Sequence, residues 1–228
     1  MKAAALALAL GALLAGQAGA QTCRLALALA LDVSSSVDAR EYALQRDGIV
    51  YALGDPQVQE ALFAGPEHVA LAVFEWSGAA EQVLVLDWTR LRTPADLDRV
   101  RARLGGVART HSELPTALGE ALVYAAFLFR SAPKDCLFHT LDVSGDGRSN
   151  EGADPGRVYA LLGWDRITVN GLAVGGELEG VDAYYRDELI RGPGAFIEIA
   201  DNYDDFAETM RRKLIRELGV QVLGRLDP

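Results

Sequence analysis

Cysteine is almost absent: two residues in 228, too few for a Cys-rich zinc module or a small domain stapled by several disulfides. Basic residues are scarce too, 22 Lys and Arg against 32 Asp and Glu, with no cluster among them. At a formal net charge of −10 the chain therefore has no electrostatic footprint for nucleic acid. His111 stands far from any Cys or His partner, which speaks against zinc, and His68 and His139 fall in apolar strand runs as packed or edge groups. Long Pro/Ser linkers, low-complexity segments and solenoid repeats are missing. So are a P-loop, a G-x-G-x-x-G fingerprint and a G-x-S-x-G nucleophile elbow. What is present is half apolar with an ordinary share of charge, the composition of a folded globular domain.

The first twenty residues read as a separate segment. Met1-Lys2 gives a positive start, Ala3 to Ala15 is apolar, and Ala18-Gly19-Ala20 presents small residues where a signal peptidase reads. The apolar run is shorter than the roughly 20 residues a bilayer span requires, and Cys23 lacks a lipoprotein context. Cleavage after Ala20 is expected. Residues 21–228 then form a single exported domain, periplasmic or secreted, of net charge −11 once Lys2 is removed, with no membrane span. A monomer is expected.

From Leu25 onward, strand-like and helix-like runs alternate. Strands are expected at Leu25–Leu31, His68–Trp76, Gln82–Trp88, Cys136–Val143, Ile167–Val174 and Ala195–Ile199. Helices are expected at Val37–Leu53, from the Thr93-Pro94 cap to Leu104, and at Thr116–Phe129, Asp154–Leu162, Asp182–Ile190 and Tyr203–Leu218. The short link Ser77–Glu81 makes the second and third strands a hairpin. The pattern specifies an α/β fold: a doubly wound, mostly parallel six-stranded sheet with one antiparallel edge strand and helices on both faces.

Ligands of such sheets bind beyond the carboxyl ends of the strands. After the first strand comes Asp32-x-Ser34-x-Ser36, and after the fourth Ser144-Gly145-Asp146-Gly147. The middle polar loop ends in Pro115-Thr116-Ala117-Leu118-Gly119. Two carboxylates and several hydroxyls offer only hard oxygen donors, which suits Mg²⁺, Mn²⁺ or Ca²⁺. In this order and spacing the three loops resemble the metal-ion-dependent adhesion site of von Willebrand factor type A domains. Phe74–Gly78 and Val143–Asn150 resemble a secreted bacterial subgroup of unassigned function.

The resemblance implies that Ser34, Ser36 and Thr116 supply hydroxyls to the metal, with Asp32 and Asp146 acting directly or through waters. It further implies an open coordination position completed by an acidic side chain of an unknown protein partner. Two rivals stand beside this set. Thr110 competes with Thr116, which is preferred because it leads directly into a helix. Asp142 competes with Asp146, since Asp142-Val143-Ser144 echoes Asp32-Val33-Ser34, but Asp142 still belongs to the strand. As the other reading of Asp142, it is a buried carboxylate bonded to loop amides or a hydroxyl. Glu75 is read as a solvated strand-end acid in preference to a hydrogen-bond acceptor behind the metal ligands, and the charged closing helix Asp204–Glu217 as a solvated face.

Cys23 lies nine residues before Asp32 and Cys136 ten before Asp146. If both aspartates mark one edge of the sheet, both cysteines sit near the other, on neighbouring strands, and an exported chain would join them in a disulfide. A binding domain rather than an enzyme is expected. The alternative is a metal-assisted hydrolase or phosphoryl-transfer enzyme with Asp32 as nucleophile, but Ser34 stands where an aspartyl phosphatase carries its second acid.

Overall fold

Alternation of Leu and Ala along the first strand sorts the two faces of the sheet by side-chain size. The computed structural model describes residues 22–175 and 180–223; the expected leader, 1–20, lies outside them. Strand β1 (Cys23–Asp32) is buried along its whole length. Its Leu25, Leu27, Leu29 and Leu31 face one core, and its Ala26, Ala28 and Ala30 the other. The leucine side is covered by α1 (Ala39–Gly54), α2 (Pro56–Leu62), α3 (Pro94–Gly105) and α7 (Phe206–Leu223). The alanine side receives α4 (Leu118–Arg130) and α5 (Pro155–Leu161). Small residues there let α4 approach closely: a Cβ on Gly119 would lie 1.9 Å from the carbonyl oxygen of Ala153.

The remaining strands are β2 (His68–Trp76), β3 (Gln82–Leu91), β4 (Cys136–Gly145), β5 (Thr168–Val174) and β6 (Ile197–Ala200). Their order is β3-β2-β1-β4-β5-β6, parallel throughout except for β3, which runs antiparallel to β2 at the edge. This is the sheet expected from the sequence, with β1 at its centre. The connection from β1 to β2 leads to one side and that from β3 to β4 to the other, so the chain reverses its winding between β1 and β4. That switch point, beyond the carboxyl ends of both strands, is where the loops open a crevice.

Helix starts follow capping chemistry. Asp38 accepts the amide of Glu41 while Glu41 reaches back to the amide of Asp38, and Thr93 and Asp96 form the same reciprocal box. Helix α2 was not anticipated. Its signal was Asp55-Pro56, a side-chain cap followed by proline at the first helical position. The helix expected over Asp182–Ile190 is instead a short turn α6 (Val181–Tyr184) that widens into a π-turn at Tyr185–Leu189, where the fully buried Tyr185 packs against Gly171.

Two readings of charged residues need correction. Glu75 is not solvated but 1 % exposed. The closing helix α7 is not a wholly solvated face either: Lys213 and Glu217 turn inward one helical turn apart. The Lys213 ammonium lies 2.8 Å from Asp142 on β4 and 2.9 Å from Glu217, and Asn170 on β5 donates to Glu217 at 2.7 Å. Periodicity could not show this, because a buried cation depends on a carboxylate seventy residues away.

At the amino-terminal edge of the sheet, Cys23 and Cys136 sit opposite one another in the β1–β4 register and are joined by a disulfide. Among the described residues, no helix is long and apolar enough to cross a membrane.

Two stability predictions follow from this architecture. Replacing both cysteines by alanine opens a loop with a sequence separation of 113 residues and should lower the unfolding free energy by about 2–5 kcal/mol in urea titrations. Lys213→Met leaves two buried carboxylates facing each other and should cost about 3–5 kcal/mol, whereas Lys213→Met combined with Asp142→Leu and Glu217→Leu should recover much of that loss.

Candidate metal centre

Three loops meet at the switch point, and their hydroxyls and carboxylates form one continuous chain of contacts. Asp32 ends β1, fully buried, with the amide of Ser34 donating to its Oδ1 at 2.8 Å. The Ser34 hydroxyl accepts from Thr116 at 3.2 Å and lies 3.2 Å from the Ser36 hydroxyl. Ser36 in turn donates to Asp146 Oδ1 at 2.6 Å. The loop after β1 thus touches both the loop before α4 and the loop after β4. All five residues named from the sequence are brought together; Asp32, Ser34 and Thr116 are buried, Asp146 is half-buried and Ser36 is exposed. The cluster consequently has a closed floor and a side open to solvent.

Backbone and second-layer contacts hold the loops in place. The Ser35 amide donates to the carbonyl of Leu114. Arg109 reaches across with one Nη to the carbonyls of Val33 and Ser34, at 3.0 and 2.9 Å. Asn150 accepts from the Thr116 amide at 2.9 Å and returns its own amide to the Thr116 carbonyl. Gln45 on α1 donates to the backbone oxygen of Asp32 and accepts from the Ser144 hydroxyl. Sequence reading did not assign Arg109, Asn150 or Gln45. Asn150 ends the Val143–Asn150 motif, and Gln45 is a polar residue on the otherwise apolar inward face of α1.

The two rivals are engaged elsewhere. Thr110 is exposed, and its hydroxyl donates to Glu75 Oε2 at 2.5 Å. The other Glu75 oxygen accepts from the Tyr42 hydroxyl at 2.6 Å, so this buried acid ties the middle loop to α1. Asp142 points to the α7 face and is ion-paired with Lys213.

Burial of Asp32 is only half compensated. Its Oδ2 is buried and accepts no hydrogen bond among the described residues. The strand end of β4 comes so close that a Cβ at Gly145 would lie 2.8 Å from that oxygen and 2.6 Å from the Tyr185 hydroxyl. Loss of hydration pushes the Asp32 carboxyl up to about 7, and the neighbouring charge of Asp146 adds to this; the bonds from Ser34 and the charge of Arg109 oppose it. Burial first, then the charges of Asp32 and Asp146, hold the Tyr185 phenol well above its ordinary range and keep it neutral.

A hard divalent cation answers each of these features. The donors are all oxygen, the Oδ2 of Asp32 accepts no hydrogen bond among the described residues, and the charge of Asp146 adds to the rise of the Asp32 carboxyl. No group of three His, Cys, Asp or Glu side chains suited to a metal occurs among the described residues. The oxygens gathered here belong to two carboxylates and three neutral hydroxyls, with no thiolate or imidazole among them.

A family model described as "Protein of unknown function (DUF1194)" matches residues 22–222. No curated protein matches the chain. Among solved structures, proximal thread matrix protein 1 from the mussel byssus superposes with a TM-score of 0.64 at 13% identity, covering 87% of this chain and 49% of that one. A second structure of it, described as having a zinc-occupied MIDAS motif, gives 0.59 at 13% identity over 86% and 48%. A von Willebrand factor type A structure from Catenulispora acidiphila gives 0.58 at 17% identity, over 86% and 43%. The pilus adhesin SpaC from Lactobacillus rhamnosus GG gives 0.58 at 11% identity, over 86% and 31%. This chain thus spans half or less of the length of these solved chains. The fold is that of von Willebrand factor type A domains.

The state of Asp32 predicts a pH dependence for the metal-free protein. Between an ordinary carboxyl value near 4 and about 7, the folded chain keeps a proton that the unfolded chain has released. Stability in EDTA should therefore fall as pH rises from 5 to 7 and level off by 8, by about 3 kcal/mol from this group. Urea titrations of Asp32→Asn across the same range should give a flatter profile; an unchanged slope would show that Asp32 is not the titrating group.

Proposed function

We propose that this chain, which belongs to the DUF1194 family of proteins of unknown function, is an exported domain that binds a protein partner through a divalent cation. Ser34, Ser36 and Thr116 would hold the ion by their hydroxyl oxygens, and Asp32 and Asp146 directly or through waters. Mg²⁺ fits a site with few charges and retained waters best, with Mn²⁺ and Ca²⁺ as the other hard cations. When bound, the ion supplies an electrophilic position for one further oxygen anion, here an Asp or Glu carboxylate of the partner. The observation that carries the reading is the unbroken path Thr116–Ser34–Ser36–Asp146 drawn from three loops. Helix capping would account for one hydroxyl, not for this convergence.

The chain's own residues fix the geometry. The Ser34 amide orients Asp32 by its Oδ1 and leaves Oδ2 without a donor. Arg109 and Asn150 clamp the first and middle loops, so that Ser34 and Thr116 stay adjacent without a ligand. Exposed Ser36 and half-buried Asp146 form the side from which a partner would approach. These roles are binding and positioning. The zinc-occupied MIDAS described for the mussel protein and the adhesin role named for SpaC support a divalent metal and a protein ligand for this fold. Residues 1–20 as a cleaved leader and the disulfide support export.

Calorimetric titration of Mg²⁺, Mn²⁺ and Ca²⁺ into chelator-treated protein tests the centre. Saturable binding should be lost in Asp32→Ala, weaken at least tenfold in Ser34→Ala, and persist in Thr110→Ala. Cation at a hundredfold excess over Kd should raise the unfolding free energy by about 2.7 kcal/mol, and by less at pH 5, where a proton competes for Asp32. Equal binding by wild type and Asp32→Ala would refute the assignment. Capture of an envelope partner should be abolished by EDTA, and the exported protein should begin at Gln21.

A further inference from the structure

A second recess lies at the other end of the sheet, where β4 starts rather than ends, roughly 20 Å from the Asp32 cluster at the rise of a strand. It is a cleft of about 480 Å³ between the end of α4 and the α5–β5 connection, within the range of small-molecule sites. Half-buried His139 on β4 lines it beside Cys136, which the disulfide to Cys23 fixes in place. Phe129, Leu162 and Ile167 also line it, and the Phe129 and His139 rings meet edge to face at 5.8 Å.

Three cations line the same cleft: Arg130, Lys134 and Arg166. None makes a salt bridge among the described residues, in contrast to Arg90, whose guanidinium is held by Asp135 nearby. Arg130 lies over the Phe127 ring at 4.5 Å, and the Lys134 ammonium uses one donor on the Arg130 carbonyl. Arg166 makes no side-chain hydrogen bond among the described residues. One acid, Asp165, shares the lining. Burial lowers the His139 pKa, and the charges of Arg166 and Lys134 add to this, which shows that their fields converge on a neutral aromatic ring. On a chain of net charge −10, three cations against one acid around a half-apolar recess are a local reversal of sign.

From this combination we infer that the cleft between α4 and the α5–β5 connection is a binding site for a small aromatic carboxylate. The ring would find the apolar lining of Phe129, Leu162 and Ile167, and the carboxylate the donors of Arg166, Arg130 and Lys134. The site is independent of the divalent-cation reading.

The test uses 2-naphthoate as probe and 2-naphthalenemethanol as its neutral counterpart, titrated calorimetrically in EDTA so that no metal at Asp32 attracts the carboxylate. One naphthoate per chain should bind with Kd tighter than about 1 mM, and the alcohol at least tenfold more weakly. Arg166→Gln should weaken naphthoate at least tenfold. Gly163 lines the cleft, is exposed, and a Cβ there would meet no atom within 4 Å, so Gly163→Phe should fold normally and block the recess. Asp32→Ala should bind naphthoate like wild type. Absence of saturable binding, equal affinity for the alcohol, or indifference to both Arg166→Gln and Gly163→Phe would overturn the inference.

Discussion

Two aspartates are buried in the centre of this sheet, and burial raises the carboxyls of both, although only one of them has an ammonium beside it. Asp142 on β4 faces Lys213, a cation carried into the interior by α7 and shared with Glu217. Asp32, at the end of β1 next door, has no such counter-charge; the nearest guanidinium, Arg109, directs its hydrogen bonds to carbonyls. Removing a carboxylate from water without a partner is costly, and the expense shows in the raised pKa of Asp32. The surrounding loops are arranged around that deficit: one oxygen is held by an amide, the other is left bare, and hydroxyls that can accept as well as donate line the way to solvent.

Much of this was legible in the chain because it depends on local chemistry. The six strands and the antiparallel edge followed from apolar runs and one short link. Asp32, Ser34 and Ser36 share a single tight loop, and Asp146 stands between Gly145, which ends β4, and Gly147, so their convergence needed only the parallel arrangement of β1 and β4. Helix α2 could have been found from Asp55-Pro56.

What stayed hidden depends on partners distant in sequence. Lys213 and Glu217 read as a solvated face because nothing within α7 reports that Asp142 waits beneath it. Glu75 read as an exposed strand end because its partners, Tyr42 and Thr110, come from a helix before it and a loop after it. Arg109 and Asn150 brace the cluster through backbone atoms, a role that leaves almost no trace in residue type. The Leu/Ala alternation of β1 carried more information than its apolar character alone, since it assigns the bulky face to α1 and α7 and the shallow face to α4.

The bond between Cys23 and Cys136 joins residues that are direct partners in the β1–β4 ladder. A strand that repeats Leu and Ala, as β1 does, is poorly indexed by its own side chains, and a slide of two positions would keep its faces correct while displacing it by roughly 7 Å along its parallel neighbour. Covalent attachment at one end abolishes that freedom and sets a common origin from which both strands are measured. Asp32 and Asp146 are thus brought level by counting outward from a fixed sulfur pair, so that alignment at the working rim is decided at the far one.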